Sequence, residues 1–144
     1  MINQMAMMNY ILAMHPNQPI DAEVLKYLQE GFKSYIYDKK TLDEAFHFKQ
    51  ARIRSKCLLD ERNRYLWLAG KYYIEHKSPS DLARKLEKEI HRFESTQWLL
   101  WKNLDNPPEG CSFLRWHLFH AKKTGLDMPG FRQIIRDVIR TKSP

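Results

Sequence analysis

The chain has 144 residues, of which 43% are hydrophobic and 28% charged, and a formal net charge of +7. A chain of this length buries about two thirds of the surface its unfolded form exposes, so it is expected to fold as one domain without disulfide or metal staples. The ordinary apolar share argues against a disordered class, and no apolar run approaches the length of a membrane span.

In chain order, residues 1–19 form an apolar, Met-rich segment followed by a linker bracketed by Pro16 and Pro19. No positive charge precedes the apolar part and no small-residue cleavage site follows it, so the segment is expected to be a short mature helix, not a signal peptide. Residues 20–104 are the expected helical core. Asp21 is placed to cap its first helix, with Ile20 and Leu25 spaced as a hydrophobic staple. Val24, Leu25, Leu28, Phe32, Tyr35 and Ile36 share one face of that helix, which predicts burial of that face. Thr41 and Glu44 make a capping-box pattern for a shorter helix containing Leu42, Ala45, Phe46 and Phe48.

A basic concentration follows over residues 49–64, with Lys49, Arg52, Arg54, Lys56, Arg62 and Arg64 against Asp60 and Glu61. Such a run ordinarily forms a solvated helical face, and Lys49, Arg52, Arg54 and Lys56 are a second candidate phosphate-holding patch. Leu66, Trp67, Leu68, Ala69, Tyr72, Tyr73 and Ile74 then surround the helix axis, the pattern of a buried central helix. Gly70 within it costs about 1 kcal/mol relative to Ala, which a close helix crossing would offset. Ser78, Pro79 and Asp81 mark a strong helix start. Leu82, Leu86, Ile90, Phe93, Leu100 and Leu104 keep one face from there, predicting a single long helix to about residue 103. Trp98 and Leu99 lie off that face and are either enclosed by the terminal helices or part of a protein interface. The loop DNPPEG at 105–110 ends the core.

Residues 111–142 read as a basic C-terminal helical hairpin. From residue 111 onward seven Lys and Arg face two Asp, a net of +5, whereas residues 1–110 carry 17 against 15, a net of +2. Ser112 can cap a helix over residues 113–123, and Gly125 is placed to end it in a left-handed conformation. In the last helix Phe131, Ile134, Ile135, Val138 and Ile139 form an apolar arc, and Arg132, Arg136 and Arg140 form a basic stripe beside it. On Ala121, Gly125, Leu126, Phe131 and Ile134 this stretch resembles the helix-turn-helix motif of DNA-binding proteins. In that motif a small residue lets two helices cross, a glycine four residues later makes the turn, and apolar residues lock the second helix on the first. His120, Thr124, Pro129 and Gly130 depart from the pattern. The resemblance implies a helix presented to a DNA groove, with Gln133 placed to meet a base edge.

No nucleophile motif, glycine-rich phosphate loop or paired-carboxylate signature occurs, so no catalytic residue is assigned and no enzyme is expected. His117, His120 and Cys111 form one weak ligand cluster without a second half, so neither a metal site nor a cofactor is expected. Cys57 and Cys111 form no paired motif, and a reducing, cytoplasmic setting is the default. Aromatic residues beside cations, as in Lys71 with Tyr72, Trp101 with Lys102 and Arg115 with Trp116, are of a kind that stacks on unpaired bases. Together these features predict an all-α chain of five to seven helices that binds nucleic acid, DNA ahead of RNA. The expected nucleic-acid-binding set is Arg115, Lys122, Lys123, Arg132, Gln133, Arg136, Arg140 and Lys142. The rival expectation is a protein-interaction module, a subunit, adaptor or inhibitor of a larger complex, using Trp98, Leu99 or the N-terminus.

Overall fold

A computed structural model describes residues 4–48 and 52–140, and among these it is all-α, with eight helices and no strand. The chain divides into two compact units, Met1–Cys57 and Leu58–Pro144.

The first unit holds α1 (Gln4–Ala13), α2 (Ala22–Tyr37), α3 (Leu42–Ala45) and the start of α4 (Ile53–Tyr73). Two local signals act as the sequence predicts. The Asp21 carboxylate accepts from the Glu23 N–H at 2.9 Å, and the Thr41 hydroxyl accepts from the Glu44 N–H at 3.2 Å. These bonds satisfy donors that a helix start leaves open. The packing of α2 is narrower than its apolar arc. Gly31 meets the Phe46 ring so closely that a Cβ there would overlap it, and the Tyr27 hydroxyl donates to the Phe46 carbonyl at 2.8 Å. Phe46 is thus the knob that α2 closes on, flanked by Phe32 at 5.2 Å and Phe48 at 5.4 Å between ring centroids. Because α3 is only four residues long, this packing covers a strip through Val24 and Gly31, while Leu25, Phe32, Tyr35 and Ile36 stay exposed. That corrects the predicted burial of the whole face.

The second unit is built on α5 (Pro79–Ser95), whose Leu82, Ala83, Leu86, Ile90 and Phe93 are all buried. The Ser78 hydroxyl caps this helix by accepting from the Asp81 N–H at 3.1 Å, and Pro79 occupies its first turn. A hydrogen bond from the Lys77 N–H, followed by those from Lys85 and Arg84, holds the Asp81 carboxyl below its ordinary range. Around α5 close Leu66 and Ala69 of α4, Leu118, Phe119 and Ala121 of α7 (Phe113–Lys123), and Ile134, Val138 and Ile139 of α8 (131–139). Helix α8 is α-helical over Phe131–Gln133 and π-helical over Ile134–Ile139, where the Arg140 N–H reaches back to the Ile135 carbonyl at 3.0 Å. Both C-terminal helices dock on α5. At Gly70 the neighbour is the Leu82 side chain of α5, since a Cβ there would lie 3.0 Å from Leu82 Cδ1. The end of α4 is less enclosed than its composition predicts, for Tyr72 and Tyr73 are exposed.

The long helix predicted from Pro79 breaks at Thr96. The Ser95 hydroxyl donates to the carbonyls of His91 and Arg92, and the Thr96 hydroxyl to that of Arg92 at 2.6 Å. Two adjacent hydroxyls thereby bond carbonyls that the backbone of a continuing helix would use. The chain restarts as α6 (Gln97–Trp101), where Trp98 and Trp101 pack on Phe93 and Leu100 is 80% exposed. This break adds a helix to those predicted, giving eight among the described residues where five to seven are predicted.

Gly125 has φ +79° and its N–H bonds the Lys122 carbonyl at 3.1 Å, ending α7 as predicted. Nothing lies within 4 Å of a Cβ built there, so Gly125→Ala is expected to cost about 1 kcal/mol through backbone strain alone. Urea denaturation measures this, and an unchanged midpoint would contradict it. The connection to α8 runs over residues 124–130, longer than the three- or four-residue turn of a helix-turn-helix. Pro129 and Gly130, which fall within the motif's second helix, here precede α8, and Gly130 is its N-terminal flanking residue.

Candidate nucleic-acid interface

The apolar arc of α8 is buried in part, with Phe131 exposed and Ile135 half-buried. Ile134, Val138 and Ile139 are buried, whereas Arg132, Arg136 and Arg140 are exposed. Arg136 makes a forked pair with its neighbour, Nε to Asp137 Oδ1 at 2.9 Å and Nη2 to Oδ2 at 3.1 Å. Those hydrogen bonds hold the Asp137 carboxyl below the usual carboxylate range and raise the Arg136 guanidinium. A pair this exposed stabilises weakly. Gln133 is half-buried.

The other predicted cations do not all join this edge. Lys122 is bound to Glu94 at 3.0 Å and lies 5.3 Å from the Trp98 ring centroid, so it ties α7 to α5 and α6. Lys123 donates to the Lys102 carbonyl at 3.0 Å, at the end of α6, and lies 5.5 Å from the centre of the Phe119 ring. Arg115 is exposed in the first turn of α7, whose cap is the Ser112 hydroxyl accepting from its N–H at 3.2 Å. Lys142 and Lys49 lie outside the described residues. In the first unit Arg52, Arg54 and Lys56 are exposed, and Arg52, at φ +51°, lines a hollow of about 270 Å³ with Arg54 and Asp43. Trp98 packs on Phe93 and Phe119 and is half-buried, while Leu99 is exposed. The tryptophan therefore packs inward and the leucine does not.

Two features escape a sequence reading. Arg62 stands within the basic run yet is only 4% exposed. Its Nη1 donates to the Asp127 carbonyl at 2.7 Å, and its Nε and Nη2 both donate to Asn63 Oδ1. It anchors the connection that leads into α8. Burial lowers the pKa of its guanidinium, with Asp137 and then Asp127 opposing that shift.

The second feature is a band of rings between α4 and α7. Phe113, Trp116, His117 and His120 recur at i, i+3, i+4 and i+7 on α7 and meet Tyr65 and Tyr73 on α4. Tyr65 stacks on His120 at 5.2 Å, Tyr73 stacks on Phe113 at 5.6 Å, and Trp116 approaches His120 at 4.2 Å. Burial among these rings, with the nearby His117, pushes the His120 imidazole below its ordinary range. The helical spacing of the four α7 residues was the signal available in the sequence.

Among the described residues no group of three or more His, Cys, Asp or Glu is placed to hold a metal ion, and no helix is long and apolar enough to cross a membrane. No family model matches the chain, and no curated protein or solved structure matches it.

Proposed function

We propose that this protein binds nucleic acid, DNA ahead of RNA, by holding phosphates along its basic C-terminal pair of helices, and that it acts by binding and not by catalysis. The observation that carries this reading is the exposed file Arg132, Arg136 and Arg140 on a helix whose other face is locked into the core of the second unit. A fixed backbone with outward guanidinium groups presents charge to phosphate at little ordering cost. The +5 excess over residues 111–144 draws a polyanion to the same region. With the connection at 124–130 longer than the motif's turn, phosphate holding fits this helix better than base reading.

Changing Arg132, Arg136 and Arg140 together to Ala is expected to weaken duplex DNA binding at least tenfold in fluorescence anisotropy, with the melting temperature within a few degrees of wild type. Unchanged affinity would remove this surface from the reading. The rival, a protein-interaction module, is favoured by the exposed Leu25, Phe32 and Ile36 on α2 and by Leu99 and Leu100 on α6. A wild-type protein that binds neither duplex nor single strand at low salt would move the assignment to that class.

A further inference from the structure

The ring band between α4 and α7 has an outer edge that the core does not need. Tyr72 is 63% exposed and Phe113 67%, and Tyr73 and Trp116 are also open to solvent. These four are contiguous, since Tyr72 meets Tyr73 at 6.4 Å, Tyr73 stacks on Phe113, and both Tyr73 and Trp116 meet His117. Exposed aromatic side chains joined in this way are more than the scattered apolar residues of an ordinary surface.

Cations frame the band. Arg64 lies 4.7 Å from the Tyr65 ring centroid, Lys71 lies 5.2 Å from that of Tyr72, and Arg115 is exposed beside Trp116. At one end, Tyr72 and Tyr73 open onto a hollow of about 630 Å³ that is also lined by Lys71, His76, Lys77 and Lys85. Glu61 pairs with Arg64 at 3.9 Å and Asp81 with Lys85 at 3.2 Å, so these charges offset one another, and the remaining lining of the hollow has Lys71 and Lys77 against Glu75. A row of π faces with positive charge on its rim is complementary to an unpaired strand, whose bases need flat apolar partners and whose phosphates need cations. It is poorly matched to a duplex, whose bases are already stacked.

We infer that the Tyr72, Tyr73, Phe113 and Trp116 surface is a stacking site for single-stranded nucleic acid, with the strand's phosphates led toward Lys71 and Lys77. This rests on the nucleic-acid reading above but uses a different surface from the α8 stripe, so the two can fail separately. Anisotropy titrations of a labelled thymidine oligonucleotide and of a labelled duplex, at one low salt concentration, test it with Phe113→Ala, Tyr72→Ala and the triple arginine variant. Both aromatic side chains are mostly exposed, so these two variants are expected to melt near wild type. Each ring removed is expected to weaken single-strand binding about fivefold to a hundredfold and to leave duplex affinity within a factor of two. Single-strand affinity unchanged in both aromatic variants, with duplex binding intact, would overturn this inference alone. Absence of binding to either nucleic acid by wild type would overturn it together with the proposed function.

Discussion

Phe119→Ala is expected to be the most destabilising single change in the second unit, lowering stability by about 3–5 kcal/mol. The ring is fully buried and meets Trp98 at 5.9 Å and His120 at 5.4 Å, while the Lys123 ammonium group covers its outer side. Truncation therefore leaves a void bounded by side chains of α6 and α7 that cannot all move inward, since Leu118 and Ala121 on the same helix are themselves packed against the core. Domains of this size are stable by only about 5–15 kcal/mol, so a large part of the total is at stake. Urea denaturation followed by circular dichroism measures the effect. A shift of less than about 1 kcal/mol, below the usual range for such truncations, would mean that Phe119 is not the anchor described.

Arg62→Met is expected to cost about 2–3 kcal/mol, although it replaces a charge with an apolar chain of similar length. The replacement leaves the Asp127 carbonyl without its 2.7 Å donor and Asn63 Oδ1 without its fork, and it removes the positive charge facing Asp137. Arg62→Lys should recover little, because an ammonium group cannot make the forked bond to Asn63 while reaching Asp127. The effect extends to binding, since the connection that Arg62 holds sets where α8 begins. Duplex affinity of Arg62→Met is expected to fall severalfold even under conditions where the variant is folded. A variant as stable as wild type would show that the guanidinium is dispensable to the connection.

How much of this was legible in the sequence depends on the range over which each feature is determined. The caps at Asp21, Thr41, Ser78 and Ser112 and the left-handed Gly125 were readable because each is decided by a few neighbouring residues. The break at Thr96 was hidden by the apolar period that runs across it. Its cause, the back-bonding of Ser95 and Thr96, is local but competes with a helix that the periodicity equally supports. The exposed side of α2 could not be read, because its pattern gives the width of the apolar face and not the size of the partner, a four-residue helix with one large ring. Arg62 was concealed within a charge run, where burial is decided by residues 65 positions further on. In the candidate site, the α8 stripe was visible as a period of four. The capture of Lys122 by Glu94 was not, since that ion pair joins helices through residues 28 positions apart in sequence.

The central claim, that Arg132, Arg136 and Arg140 hold phosphates, is tested most directly by the salt dependence of duplex binding in wild type and in the triple Ala variant. Affinity measured at several salt concentrations gives the slope of log K against log salt, which counts the counterions released. The slope is expected to flatten by roughly 0.9 for each phosphate that is no longer neutralised, and so by up to about 2.7 in the triple variant. Equal slopes and equal affinities for the two proteins would contradict the claim, and the arginines would then serve solubility and local pairing instead.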